Sequence, residues 1–184
     1  MLRRIKKWLS RNKKEVVNIP NKDYRIALLI AEKSIKNSPG CKTTEFFKTE
    51  HSFSDGMYTR KTTVPKGYLF LTFIHKKSHP AFHVGDVTMI EPTGNRRVKG
   101  IHTFITPAGT QRVCYAHEES YCITTHLNPN NERDIDKIEG FLYARHYNEL
   151  LDNEELNEEL SFLQGTDKES DSSREGRILE RLVA

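Results

Sequence analysis

Six histidines stand between Ile74 and Leu127 of this 184-residue chain: His75, His79, His83, His102, His117 and His126. Neutral imidazole is the commonest side-chain ligand of divalent transition metals and a versatile proton carrier. His75 ends the run Tyr68 to His75 and shares its alternating face with Leu69, Leu71 and Phe73. An imidazole that continues an apolar face must find a partner, a metal or solvent. His79 follows four residues later across Lys76-Lys77-Ser78, and His126 closes the run Cys122 to His126. Histidines from separate strands that converge inside a small barrel make a divalent-metal site, so His75, His79 and His126 are the candidate ligands. The alternative for each is an ordinary core or pocket histidine. Glu91, Glu118 and Glu119 follow a strand or sit in a turn and read as surface acids. His83 and His102 read as pocket or surface residues, and His117 as a turn residue.

The elements that would position these groups are short and mostly β. Thr43 to Gly67 is rich in Thr, Phe and Tyr, with turn signals at Asp55-Gly56 and Pro65-Lys66-Gly67. Tyr68 to His75 reads as one strand, apolar on both faces and central to a barrel or sandwich. Lys76 to Pro80 reads as a break, Asp86 to Ile90 as the next strand, and Glu91 to Asn95 as a turn. Arg96 to Lys99, Thr103 to Ile105, Gln111 to Ala116 and Tyr121 to Leu127 continue the series. Strands of this length at such intervals indicate an all-β sandwich or barrel.

Helices flank this region. Leu2, Ile5, Trp8 and Leu9 have helical spacing in a basic segment. A second helix follows Ile19-Pro20-Asn21, with Asp23 as N-cap and Ile26, Leu29, Ile30 and Ile35 as its apolar stripe, and it stops at Ser38-Pro39-Gly40. Ile135 to Leu163 reads as one or two helices with an acidic face at Glu154, Glu155, Glu158 and Glu159. The expected organisation is a basic amphipathic arm at 1–15, a helical lead-in at 16–42, a β domain at 43–130, an acidic helical segment at 131–164, and a polar tail at 165–184 expected to be disordered.

Charge is unevenly placed. Net charge is +4, yet residues 1–14 hold seven basic side chains and no acid, while residues 134–184 hold fourteen acids against six bases. Arg3, Arg4, Lys6, Lys7 and Arg11, with Trp8 for stacking, form a candidate nucleic-acid or anion-binding arm. A helix docking on the domain and a frayed terminus are the other readings of that arm. Cys41, Cys114 and Cys122 contain no CxxC pair and imply no disulfide framework, which fits a reducing compartment. No apolar h-region follows the basic start, and no run of eighteen apolar residues exists. The expectation is a protein that is not secreted and has no transmembrane helix.

Two segments carry a resemblance. GYLFLTFIHKKSHPAFHVGD and ITPAGTQR…TTH resemble the two halves of a cupin barrel. Gly67, His75, His79 and Gly85 match the first half, and Pro107, Gly109 and His126 the second. HSFSDGMYTRKTTVPKGYLFLTFIHKKSH with PAGTQRVCYAHEESYCITTH resembles small cupin-like proteins encoded by tailed bacteriophages and prophages, over roughly His51 to Asn128. The resemblance implies a mainly β, cupin-like jelly-roll barrel with flanking N- and C-terminal helices. It implies His75, His79 and His126 as ligands of zinc, iron or manganese. The chain departs from the cupin pattern: HxxxH replaces HxH, and Phe82, His83 and Val84 occupy the place of the usual glutamate. That leaves open coordination positions, or no metal at all. Arg112, after the PAGT turn, reads as an anion contact or an internal salt bridge. Tyr58, Arg60 and Tyr115 read as lining the pocket or as core residues.

The functional expectation is a phage-encoded binding or structural protein with a histidine-lined pocket, present in host cytoplasm and the virion, pairing as a homodimer or with other phage proteins. The alternatives are a metal-dependent oxygenase, isomerase or lyase acting on a small, anionic substrate, and a nucleic-acid binder through the basic arm. Fold alone does not decide between them.

Overall fold

The computed structural model describes residues 19–38 and 46–150. The basic arm with Arg3, Arg4, Lys6, Lys7 and Arg11, together with Cys41 and the acidic end from 151 onward, lies outside the described residues. The described chain is mainly β, as expected of a jelly-roll barrel: a curled antiparallel sheet with a helix on either side in sequence.

The sheet holds β1 (Thr49–Ser54), β2 (Met57–Val64), β3 (Leu69–Leu71), β5 (His79–Glu91), β6 (Gly94–Thr106), β7 (Val113–Ala116) and β8 (Ser120–Leu127). Its order is β1-β2-β8-β5-β7-β3, with β6 on the other side of β5. A separate two-stranded ladder joins β4 (Ile74–His75) to β9 (Tyr143–Ala144). Helix α1 is Lys22–Lys36 and α2 is Ile135–Leu142.

β5 is the axis of the sheet. Along one edge it pairs with β6 over all thirteen of its residues. Along the other it pairs first with β8, from Ala81 to Val84, and then with β7, from Val87 to Ile90. The change of neighbour falls at Gly85, where φ is +128°. A Cβ there would sit 2.3 Å from Ser120 Oγ and 2.8 Å from Ser120 Cα, so only glycine fits this crossing of β5 over the start of β8. Ser120 Oγ receives a hydrogen bond from the Asp86 amide (3.2 Å) and donates to the Glu118 carbonyl (2.9 Å).

Several sequence expectations change. Tyr68 to His75 is two strands, because its halves have different partners: Leu69–Leu71 bonds to β7 and Ile74–His75 to β9. The break after His75 ends at Ser78, and His79 opens a strand that runs unbroken to Glu91. Arg96–Lys99 and Thr103–Ile105 belong to one thirteen-residue strand. Helix α2 stops at Leu142, and Tyr143–Ala144 leaves it as a strand.

In α1, Asn21 caps the helix by accepting the Tyr24 amide, with Asp23 inside the first turn. The buried apolar face is Tyr24, Ala27, Leu28, Ile30 and Ala31; of the expected stripe Ile30 is buried, while Ile26, Leu29 and Ile35 are half-buried, so the face is turned part of a step round. The Tyr24 hydroxyl explains the rotation: it donates to the Ile90 carbonyl at 2.6 Å and tethers the helix to the end of β5. Tyr24, Leu28 and Ala31 pack with Ile74, Val113, Ala144 and Tyr147. A second cluster, Tyr58 with Ile138, Leu142 and Tyr143, seats α2 against the sheet.

Candidate metal centre and ligand cavity

Strand register builds the site in rows. Across the sheet, Tyr58 of β2 faces His126 of β8. One step along the same face, Arg60 faces Thr124, which faces Ala81 of β5. Another step brings Thr62, Cys122 and His83 together. Side chains two apart in a strand share a face, so His79 belongs with Tyr58 and His126 in the first row. His75 is supplied from outside the main sheet by β4, held by its pairing with Tyr143 and by the Gly109 amide, which donates to the His75 carbonyl at 2.8 Å.

The result is three buried imidazoles in contact. Ring centroids are 4.0 Å apart for His75 and His79, 4.5 Å for His79 and His126, and 5.6 Å for His75 and His126. One nitrogen from each falls within 4.8 Å of the others. His79 Nδ1 lies 3.2 Å from the Lys77 carbonyl, which can only accept. That nitrogen therefore carries the proton and leaves Nε2 with its lone pair, the arrangement in which metal-bound histidines are usually oriented. His75 Nδ1 and His126 Nε2 are buried and have no hydrogen-bond partner among the described residues. Buried polar atoms are almost always satisfied, and two such nitrogens in a cluster with a third imidazole fit a divalent cation.

Electrostatics keep the set in its ligating form. Burial pushes the His126 imidazole down to about 3, reinforced by His79 and Arg60. Burial, then His79 and His126, hold His75 well below the ordinary histidine range. Burial also lowers His79, with Arg112 adding to it. All three are neutral near pH 7, as metal binding requires. The donor set is nitrogen only, which suits zinc, iron and other imidazole-preferring metals.

His75 and His79 open onto a cavity of about 120 Å³ in the barrel interior. Its walls are mostly apolar, with Phe70, Phe73, Met89 and Phe104 among the lining side chains. Two arginines, Arg60 and Arg112, reach it, and no carboxylate among the described residues lines it.

The predicted site residues separate in the structure. His75, His79 and His126 converge. Arg60 and Arg112 line the cavity. Arg112 is also the internal salt bridge foreseen as one of its two roles: Nε donates to Glu91 Oε1 at 2.7 Å, with both side chains largely buried. Tyr58 is fully buried, stacked on His126 at 6.2 Å and hydrogen-bonded through its hydroxyl to His51 Nδ1 at 2.7 Å, so it belongs to the core behind the histidines. Tyr115 does not belong to the pocket: it lies on the outward face of β7 against His117. Strand parity explains the difference, because Cys114 and Ala116 take the inward positions.

His83 takes the pocket place of its two readings: it is buried on the cavity wall, with Nδ1 unpartnered among the described residues. One residue escaped the sequence reading. Tyr143 closes the site, edge-on to His75 at 5.0 Å and stacked on Phe73 at 4.6 Å. Nothing in its local sequence distinguishes it from a helical residue.

No family model matches the chain, and no curated protein matches it. Among solved structures it is similar to ectoine synthase from P. lautus, at 12% identity over 59% of this chain and 83% of that one, with a TM-score of 0.42. KdgF from Halomonas sp. matches at 16% identity over 54% of this chain and 88% of that one, with a TM-score of 0.39. A cupin-2 domain protein from Shewanella frigidimarina matches at 10% identity over 54% and 91%, with a TM-score of 0.37. At these scores and identities they carry no activity, ligand or assembly over to this chain. Nothing in them bears on a phage origin.

Proposed function

We propose that this protein binds a small molecule beside a divalent metal, with His75, His79 and His126 as the metal ligands. The observation that carries this reading is the set of three buried neutral imidazoles, two of them with nitrogens unpartnered among the described residues, of which His75 and His79 line an apolar cavity. Zinc, iron and manganese are the candidates. A metal held there would supply a Lewis-acidic centre with open positions toward the cavity. The protein's own part is to exclude water with Phe70, Phe73, Met89 and Phe104 and to fix the imidazoles through β4, β5 and β8. The test is metal content by plasma mass spectrometry on protein purified without a histidine tag, alongside a His75→Ala/His126→Ala variant. Near-stoichiometric metal that disappears in the variant supports the reading. A metal-free wild type after reconstitution with each of the three ions removes it.

A metal-dependent enzyme, an oxygenase, isomerase or lyase, is the second reading, favoured by the neutral His83 imidazole on the wall of the same cavity. Turnover that is lost in His75→Ala would place the protein there.

The phage origin, with the charged ends contacting other phage proteins or nucleic acid, extends the proposal and is motivated by the resemblance over His51 to Asn128 and by the charge gradient. Absence of the protein from purified particles would remove a virion role. Nucleic-acid binding that survives deletion of residues 1–14 would remove the arm's role.

A further inference from the structure

We infer that the cavity selects a small monocarboxylate with an apolar body, and that Arg60 holds its carboxylate. This inference rests on the reading of the cavity as a ligand pocket, and the experiment below separates the arginine from the metal.

The two arginines on the cavity wall are not equivalent. Arg112 spends its Nε on Glu91, and that carboxylate also meets Arg96 at 3.3 Å. Arg60 is left incomplete. Its Nη1 has two long contacts, Glu139 at 3.3 Å and the Tyr143 hydroxyl at 3.4 Å. Its Nε is buried and has no hydrogen-bond partner among the described residues. Glu139 is about a third exposed, so water screens it, whereas the Arg60 side chain is 11% exposed. A buried guanidinium with an idle N–H costs free energy until an acceptor arrives.

The surroundings fix what that acceptor is. Aromatic faces hold the guanidinium in place: its central carbon lies 4.9 Å from the Phe73 ring centroid and 5.8 Å from that of Tyr143. Those two rings stack on each other, and Tyr143 in turn meets His75, so Arg60 stands one row from the histidines. Among the described residues two cations and no acid line the cavity, which favours an anion. A phosphate or dicarboxylate would need more than one free donor and a wetter wall. The remaining wall is apolar, and a void of this order holds a benzene-sized body, about 150 Å³ in the best-studied case.

The probes are benzoate and hexanoate, each with its neutral amide, benzamide and hexanamide, titrated calorimetrically into metal-free and zinc-loaded full-length protein. At least one acid of the two pairs is expected to bind metal-free wild type about tenfold or more tightly than its amide, as a charge-assisted hydrogen bond predicts. Arg60→Gln abolishes that preference and Arg112→Gln keeps it. In isotopically labelled wild type, which needs no variant to fold, the Arg60 Nε–H resonance shifts with the acid and not with the amide. Equal binding of acid and amide, an acid preference that survives Arg60→Gln, or no binding of either acid at millimolar concentration overturns the inference. An acid preference that appears only with zinc and is indifferent to Arg60→Gln also overturns it while leaving the metal site standing. An Arg60-dependent preference in protein that never takes up metal keeps the inference and removes the metal.

Discussion

His75 and Tyr143 face each other across a two-residue antiparallel ladder, and the phenol ring stands edge-on to the imidazole at 5.0 Å. The first candidate ligand is thus oriented by a strand sixty-eight positions later in the chain. Lys76 extends the tie by donating its amide to the Leu142 carbonyl at 2.8 Å. The last turn of α2 and the histidine cluster therefore form one mechanical unit.

That unit makes Tyr143 a test of how the site is closed. Tyr143→Ala removes a buried ring that touches Phe73, His75 and Arg60, and is expected to cost about 3–4 kcal/mol in urea unfolding. Metal affinity should fall with it. Tyr143→Phe keeps the ring and loses only a 3.4 Å contact to Arg60, so its cost should stay within about 1 kcal/mol.

Ligand geometry is bought with stability, and the exchange is measurable. Metal-free His126→Leu removes an unpartnered buried nitrogen and replaces it with an apolar side chain of similar size. Its unfolding free energy should match or exceed that of metal-free wild type by about 1 kcal/mol. Wild type at a hundredfold excess of metal over its dissociation constant should gain about 2.7 kcal/mol, and the variant nothing. A variant that is both less stable and still metal-responsive would contradict the placement of His126.

The crossing at Gly85 is expected to tolerate no side chain. Gly85→Ala meets both the φ of +128° and a contact at 2.8 Å with backbone Ser120 Cα, for a loss of about 3 kcal/mol or more. Removing the hydroxyl as well, in Gly85→Ala/Ser120→Ala, should recover little, because the backbone contact remains. Gly94, also at positive φ but in open space, should cost about 1–2 kcal/mol on change to Ala. Chemical denaturation of the three variants decides the order.

Acid should weaken the fold through His83. Burial holds its imidazole down to about 4, against 6.5 for an ordinary histidine, with Arg112, His102 and Arg96 adding to the effect. The unfolded chain binds this proton first, so the folded state loses stability as pH falls from about 6.5 to about 4 and no further below that. The full contribution is about 3 kcal/mol at most. Urea unfolding of metal-free protein across this range should show a shallower pH slope in His83→Gln. Asp86, whose carboxyl the Arg97 guanidinium holds below its ordinary range, acts on the acid side of this window.

Composition and alternation determined much by themselves. Thr, Phe and Val runs bounded by Asp55-Gly56, Pro65-Lys66-Gly67 and Pro107-Ala108-Gly109 specify strands and turns locally, because β propensity and turn conformation are properties of neighbouring residues. The candidate ligands His75, His79 and His126 were legible for the same reason: each ends or opens a run whose face can be counted. What the counting could not supply was partnership. That Leu71 and Ile74 belong to different ladders, that Tyr143 leaves its helix to pair with His75, and that β5 runs through from His79 to Glu91 depend on contacts distant in sequence. Arg60 and Arg112 look alike along the chain. Only the fold gave Arg112 the Glu91 carboxylate and left Arg60 Nε without an acceptor, because a side chain's hydrogen bonds are settled by what the other strands bring to it.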